Sequence, residues 1–280
     1  MNEKLDIYYN KFNEEKRLTR RHGIVEYQTT IKYLDEVLKN FMDPEILDVG
    51  AGTGVYSTYL SDKGYRVTAV ELVKHNLRII EKKSSKIKAY LGNALDLSFL
   101  GNQKYDVILL FGPIYHLFGN DKVLAIKEAL KHLGKNGILM IVYCLNDFAV
   151  LKHGFIDGYI LQEEDNYDKN YIVKDNIDSL YSFDTLKTIK KINEECQLTR
   201  IKMVSQEGMS EYIRPTLNKM SLEEFRKYLD FHFQRCEKKE YLGLSRHVLD
   251  ILKFQPKEDY IKNKNYTPQA TNLVVFLVLI

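Results

Sequence analysis

"EILDVGAGTGVYSTYL", residues 45–60, places Gly50, Gly52 and Gly54 directly after an apolar run. Glycine inside a helix or strand costs about 0.5–1 kcal/mol relative to alanine, so such a cluster marks a place where bare backbone is required. "EILDVG" reads as a short buried strand and "TGVYSTYLSDKG" as a helix closed by Gly64. The glycines therefore form the turn from strand into helix.

The alternation continues outward. "YRVTAVE", "IKAYL", "YDVILLFG" and "ILMIVYC" read as strands. "HNLRIIEKKSS" and "DKVLAIKEALKHLGKNG" read as helices, the second with Gly134 just past its end. Apolar strands separated by amphipathic helices imply a parallel sheet covered on both faces and joined by right-handed crossovers. The expected fold class is α/β, doubly wound, from about Glu45 to Cys144. Upstream, Ile24, Tyr27, Ile31, Leu34, Leu38 and Phe41 recur every three or four residues, as in an amphipathic helix, which Pro44 ends.

Downstream, residues 146–183 show no long period and read as an insertion of short elements over the sheet's edge. "DTLKTIKKINEEC" reads as a helix, "LTRIKMVSQEG" as a strand, and Ser221 with Glu224 has capping-box spacing at the start of another helix. "SRHVLDILKF" fits a strand or a helix, and the terminal "NLVVFLVLI" competes for the same last strand slot. The expected organisation is an N-terminal helical cap (1–43), an α/β core (44–145), an insertion or lid (146–182), the C-terminal part of the sheet with a helix on the substrate side (183–254) and a tail (255–280).

Composition narrows the class. The 280 residues are 45% hydrophobic and 28% charged, and 41 basic against 38 acidic residues leave a net charge of +3. So balanced a charge argues for neither a nucleic-acid nor a membrane partner. Cys144, Cys196 and Cys236 lie far apart without a C-x-x-C pair, so neither a disulfide framework nor a metal site is expected. No apolar segment resembles a secretory signal, and the terminal run is shorter than the roughly 20 residues that span a bilayer. A reducing, cytoplasmic setting is expected.

In doubly wound sheets, ligands bind outside the carboxyl ends of the strands where strand order reverses. Gly50 and Gly52 would let the chain turn tightly and a ligand press on main chain, while helix-start N–H groups face it. The G-x-G-x-G spacing departs from the dinucleotide fingerprint G-x-G-x-x-G. Glu71 ends the next strand, where a carboxylate can take both hydroxyls of a ribose. His116, after "YDVILLFG", is a candidate general base, since a histidine pKa near 6.5 suits proton removal at neutral pH; the same ring could instead fix its loop by bonding backbone.

On these residues the chain resembles the class I S-adenosylmethionine-dependent methyltransferases. "ILDVGAGTG" is similar to their first motif, "VTAVE" to the acidic strand end, "LGNALDL" to the adenine loop and "YDVILLFGPIYHL" to the fourth strand and its loop. The resemblance is closest to bacterial small-molecule methyltransferases with a G-P-x-Y-H-L loop, and it extends to about Phe254. It implies a mostly parallel seven-stranded sheet with N-terminal helices and an inserted lid. It implies S-adenosylmethionine as cofactor, a small-molecule methyl acceptor, in-line displacement, and a monomer or homodimer.

It places Gly50, Ala51 and Gly52 against the methionine part, with Asp48 steadying the turn. Glu71 holds the ribose, while Asn93 (aspartate in many relatives) and Ala94 edge the adenine. Leu72 packs on the adenine face or is a plain core leucine. Phe111 walls the methyl side, and Tyr27 and Thr30 reach the methionine end unless Tyr27 only packs and Glu26 is solvated. Tyr115 shapes the acceptor pocket beside His116. A nicotinamide-dependent oxidoreductase, a non-catalytic binding module and a nucleic-acid or protein methyltransferase are the alternatives. The acceptor and the atom methylated stay open.

Overall fold

The computed structural model describes Leu5, Ile7, Tyr8, Leu18 and residues 20–256. Helix α1 (Arg21–Leu38) precedes β1 (Glu45–Val49), α2 (Val55–Asp62), β2 (Arg66–Glu71), α3 (Lys74–Lys83), β3 (Lys88–Leu91) and β4 (Tyr105–Leu110). Then come α4 (Asp121–Leu130), β5 (Leu133–Cys144), α5 (Leu186–Glu195), β6 (Leu198–Ser205), α6 (Leu222–Phe233) and β7 (His247–Phe254). The sheet order is β3-β2-β1-β4-β5-β7-β6, with β7 antiparallel to both neighbours. This is the doubly wound, mostly parallel seven-stranded architecture expected.

Each central strand is apolar on both faces because both are covered. Leu47, Ile108, Leu139 and Ile141 pack with Ala125, Ile126 and Ala129 of α4 on one side. Ile46, Val107, Leu109 and Met140 pack with Tyr33, Leu34 and Leu38 of α1 on the other. Successive side chains thus serve opposite layers, as the pleat requires. The chain winds outward from β1 to β3, then returns to β4 on the other flank of β1. Strand order therefore reverses between β1 and β4, where the glycine turn stands.

Several boundaries differ from the sequence reading. Gly134 lies inside β5 rather than beyond a helix end: pairing with β4 jumps from Tyr105↔Leu133 to Val107↔Ile138, so residues 134–137 bulge. A Cβ on Gly134 would stand 3.2 Å from the Tyr105 carbonyl oxygen, so a side chain there would crowd the β4 backbone. Helix α1 stops at Leu38, well before Pro44. "SRHVLDILKF" forms strand β7, and the competing run 273–280 lies outside the described residues. Ser221 and Glu224 complete both bonds of the expected capping box at α6. The three cysteines are buried free thiols.

Residues 146–183 are short pieces: a helix (Asn146–Ala149), a π-helical turn (Val150–Ile156) and a 3-10 turn (Glu164–Asn166). The segment leaves and returns at one place, since Asn146 N–H donates to the Asp184 carbonyl and Asp184 N–H to that of Cys144. Among the described residues no helix is long and apolar enough to cross a membrane.

The antiparallel edge is tied by Asp250, which has no exposed surface. Its carboxylate accepts two bonds from Arg200, at 2.6 and 2.7 Å, and one from Asn193 at 2.8 Å. Asp250→Ala should strand these donors and lower stability by about 3 kcal/mol, the low end for a broken buried pair because Arg200 is partly exposed. Urea unfolding of the variant beside wild type measures this, and a change below about 1 kcal/mol would contradict it.

Candidate functional site

The site begins where two loops meet backbone to backbone. The Gly50 and Ala51 N–H groups both donate to the Val70 carbonyl, at 2.7 and 3.1 Å, which folds the β1 turn over the end of β2. Gly50 holds φ at +71°, and a Cβ there would lie 2.7 Å from Pro113 Cδ. A Cβ on Gly112 would lie 2.5 Å from the Gly50 carbonyl oxygen. Gly54, at φ +76°, meets Ile80 of α3 in the same way.

The crevice beside this contact has two lobes that share Gly50, Gly52 and Gly112. The first is lined by Glu71, Leu72, Asn93, Ala94 and His116. The second is lined by Glu26, Asp48, Ala51, Phe111, Tyr115, Gln206 and His247. Leu72 is half-buried and faces the first lobe, so it is not simply core packing. Tyr27 and Thr30 line neither lobe. Tyr27 stacks on Tyr56, a wall of the second lobe, at 5.9 Å between rings. Thr30 is fully buried in α1; its hydroxyl donates to the Glu26 carbonyl and accepts from Gln206 Nε2 at 2.6 Å.

Glu71 bridges the turn. Its Oε2 accepts from Gly52 N–H at 2.7 Å and its Oε1 from Val73 N–H at 2.8 Å. Burial nonetheless pushes its pKa up to about 7. Asp48 accepts from the Ser57 hydroxyl at 2.6 Å, and burial lifts its pKa to about 6. The Asn93 side-chain oxygen accepts from Leu95 N–H at 3.0 Å, shaping the Gly92–Ala94 turn.

His116 and Tyr115 face different lobes. The His116 Nδ1–H donates to the Leu180 carbonyl at 2.8 Å, and burial lowers its pKa to about 4. Its ring is neutral at pH 7 and a weak base, and it stands in the first lobe, whereas Tyr115 stands in the second. Ser182 N–H donates to the Tyr115 carbonyl at 2.8 Å, which pins the returning end of the 146–183 segment to this loop.

Sequence reasoning missed His247, Glu207 and Gln206, and it left open a solvated Glu26, which is in fact buried. His247 Nδ1 stands 3.3 Å from Glu207 Oε2 and 3.7 Å from Glu26 Oε2. Glu207 Oε1 also accepts the His247 backbone N–H. Burial opposes charge on His247, but Cys144 and the two carboxylates hold its pKa up at about 10. The signal available was the polar His247 at the start of an apolar strand.

Residues 47–141 match the family model for a methyltransferase domain. The cofactor of such domains is S-adenosylmethionine. The chain is similar to an uncharacterized methyltransferase of Staphylococcus carnosus, 27% identical over 141 residues, 49% of this chain and 67% of that one. It is also similar to a ubiquinone biosynthesis O-methyltransferase of Pelagibacter ubique, 33% identical over 113 residues, 40% of this chain and 45% of that one. The chain thus spans from under half to two thirds of the length of these relatives. In fold it is similar to the CcbJ methyltransferase of Streptomyces caelestis, with a TM-score of 0.57, 14% identity, and coverage of 90% of this chain and 96% of that one.

The loop contact makes a direct prediction. Gly112→Ala should drive Cβ into the Gly50 carbonyl and push the loops apart. Overpacking against backbone costs about 1–3 kcal/mol, so the urea midpoint should fall accordingly. An unshifted midpoint would mean that the loops are not in contact.

Proposed function

We propose that the protein is an S-adenosylmethionine-dependent methyltransferase that transfers a methyl group to a small-molecule acceptor by in-line displacement. The observation that carries this is the glycine turn after β1, closed against Gly112 and flanked by the strand-end carboxylate of Glu71. In this reading the first lobe takes the nucleoside: Glu71 accepts from the ribose hydroxyls, Leu72 packs on the adenine and Asn93 with Ala94 borders its edge. The second lobe takes the methionine end along Asp48, Gly50, Ala51 and Gly52, with Phe111 and Tyr115 beside the methyl. Tyr27 supports that wall through Tyr56, and Thr30 through Gln206.

The sulfonium methyl is already electrophilic, so the protein's work is to hold nucleophile, carbon and sulfur in line and to exclude water. Such positioning can lower a barrier by about 7–11 kcal/mol. Residues 146–182 act as the lid. A cavity of about 490 Å³ beneath them, bounded by Phe148, Tyr167, Tyr181 and Phe183, gives room for the acceptor. The ring of Tyr181 stands 5.1 Å from that of His116, which joins this cavity's wall to the crevice. His116, neutral and bonded to Leu180, fixes the loop in this reading rather than taking a proton.

Calorimetry with S-adenosylhomocysteine tests the assignment. Ribose hydroxyls donate to the ionised form of Glu71, whose pKa stands at about 7. Affinity should therefore be full above pH 7 and fall as pH drops through 7, by up to about tenfold per unit. Glu71→Ala should weaken binding about tenfold or more at pH 8 and abolish that pH slope. Unchanged affinity would remove the ribose assignment.

A second variant separates the roles of His116. His116→Asn keeps a donor at the Nδ1 position for Leu180, so turnover should stay within about threefold of wild type. A loss of about a hundredfold or more would make the ring a general base.

A further inference from the structure

We propose that Glu26, Glu207 and His247 form a binding site for a divalent first-row metal ion, with zinc the best match, beside the second lobe, which Glu26 and His247 line. The three residues come from α1, the turn after β6 and the start of β7, and one ligand atom of each lies within 4.8 Å of the others. All three are buried.

The separations within the group leave room for an ion in place of the ring proton of His247. An N⁺–H···O⁻ pair closes to about 2.7–2.9 Å. Here Nδ1 stands 3.3 Å from Glu207 Oε2 and 3.7 Å from Glu26 Oε2. With metal–ligand bonds of about 2.0–2.2 Å, the edges of a tetrahedron are about 3.3–3.6 Å. One imidazole nitrogen and two carboxylate oxygens are also a donor set that zinc accepts.

A second observation points to a ligand at the same place. Gln206 is 2% exposed and lines the same lobe as Glu26 and His247, and its Oε1 has no hydrogen-bond partner among the described residues. Buried acceptors are paired as a rule, so an orphan beside a polar cavity calls for a donor from a bound group, such as water on a metal. Among the described residues that line the lobe there is no lysine or arginine. Three protein ligands leave one coordination position for the lobe, as in catalytic rather than structural zinc sites. An ion there would polarise an oxygen or nitrogen of the acceptor beside the methyl.

The test is equilibrium dialysis of chelator-treated full-length protein against zinc chloride, followed by metal analysis, with S-adenosylhomocysteine calorimetry on the same samples. About one zinc ion per chain should be retained. Glu207→Gln, which keeps an acceptor for the His247 backbone N–H, and Glu26→Gln should each weaken retention at least tenfold, by the loss of a charged ligand. Glu163→Gln, at the exposed His153–Glu163 pair, should leave it unchanged. Thermal melts identify a variant that fails to fold; the other substitution then decides. No zinc retained by wild type, or equal retention by a folded Glu207→Gln or Glu26→Gln protein, would overturn the site. S-adenosylhomocysteine binding without zinc removes the metal site alone, whereas zinc without S-adenosylhomocysteine removes the proposed function alone.

Discussion

The arrangement depends on a contact between main chains: the carbonyl of Gly50 stands where a side chain on Gly112 would have to go. Two strands that are neighbours in the sheet but distant in sequence end in loops without side chains at the point of contact. Those ends lie where the winding of the sheet reverses, so neither loop is covered by a crossover helix. The part of the crevice shared by both lobes is thus bare backbone at Gly50, Gly52 and Gly112, which keeps its shape better than long side chains would. The glycines lose more conformational entropy on folding than other residues would, a cost offset by the buried β1 and β4 strands beside them.

The two lobes use different physics. The first is mostly backbone and apolar surface with one buried carboxylate, and Glu71 ties the turn after β1 to the loop after β2 through the N–H groups of Gly52 and Val73. The second lobe is built from ionisable groups on elements distant in sequence. Its shape depends on α1 lying across the sheet, because Glu26 lines it from that helix and Thr30 of the same helix holds Gln206.

The sequence was legible where the determinants are local. The strand–turn–helix around Gly50, the acidic end of β2 and the capping box at Ser221 each need only a few neighbouring residues, and the structure has them. The bulge at residues 134–137 was misread because "GKNG" looks like a helix stop when the pressure from Tyr105 across the sheet is invisible. The group around His247 was not legible because its members converge only after β6 and β7 pair. Glu26 was open to misreading because a carboxylate at a helical position is ordinarily solvated. Thr30 differs: it lines neither lobe, and its hydroxyl reaches the second only through Gln206.

Strand β7 lies between β5 and β6 and binds both. During synthesis, residues 198–205 emerge before β7, the strand that pairs with them among the described residues. A nascent chain therefore carries two open edges, on β5 and on β6, until His247–Phe254 leaves the ribosome. The same late strand delivers His247 to Glu26 and Glu207. Chains stalled or clipped within residues 206–246 would keep the glycine turn and lack one wall of the crevice, with sticky strands exposed to other chains.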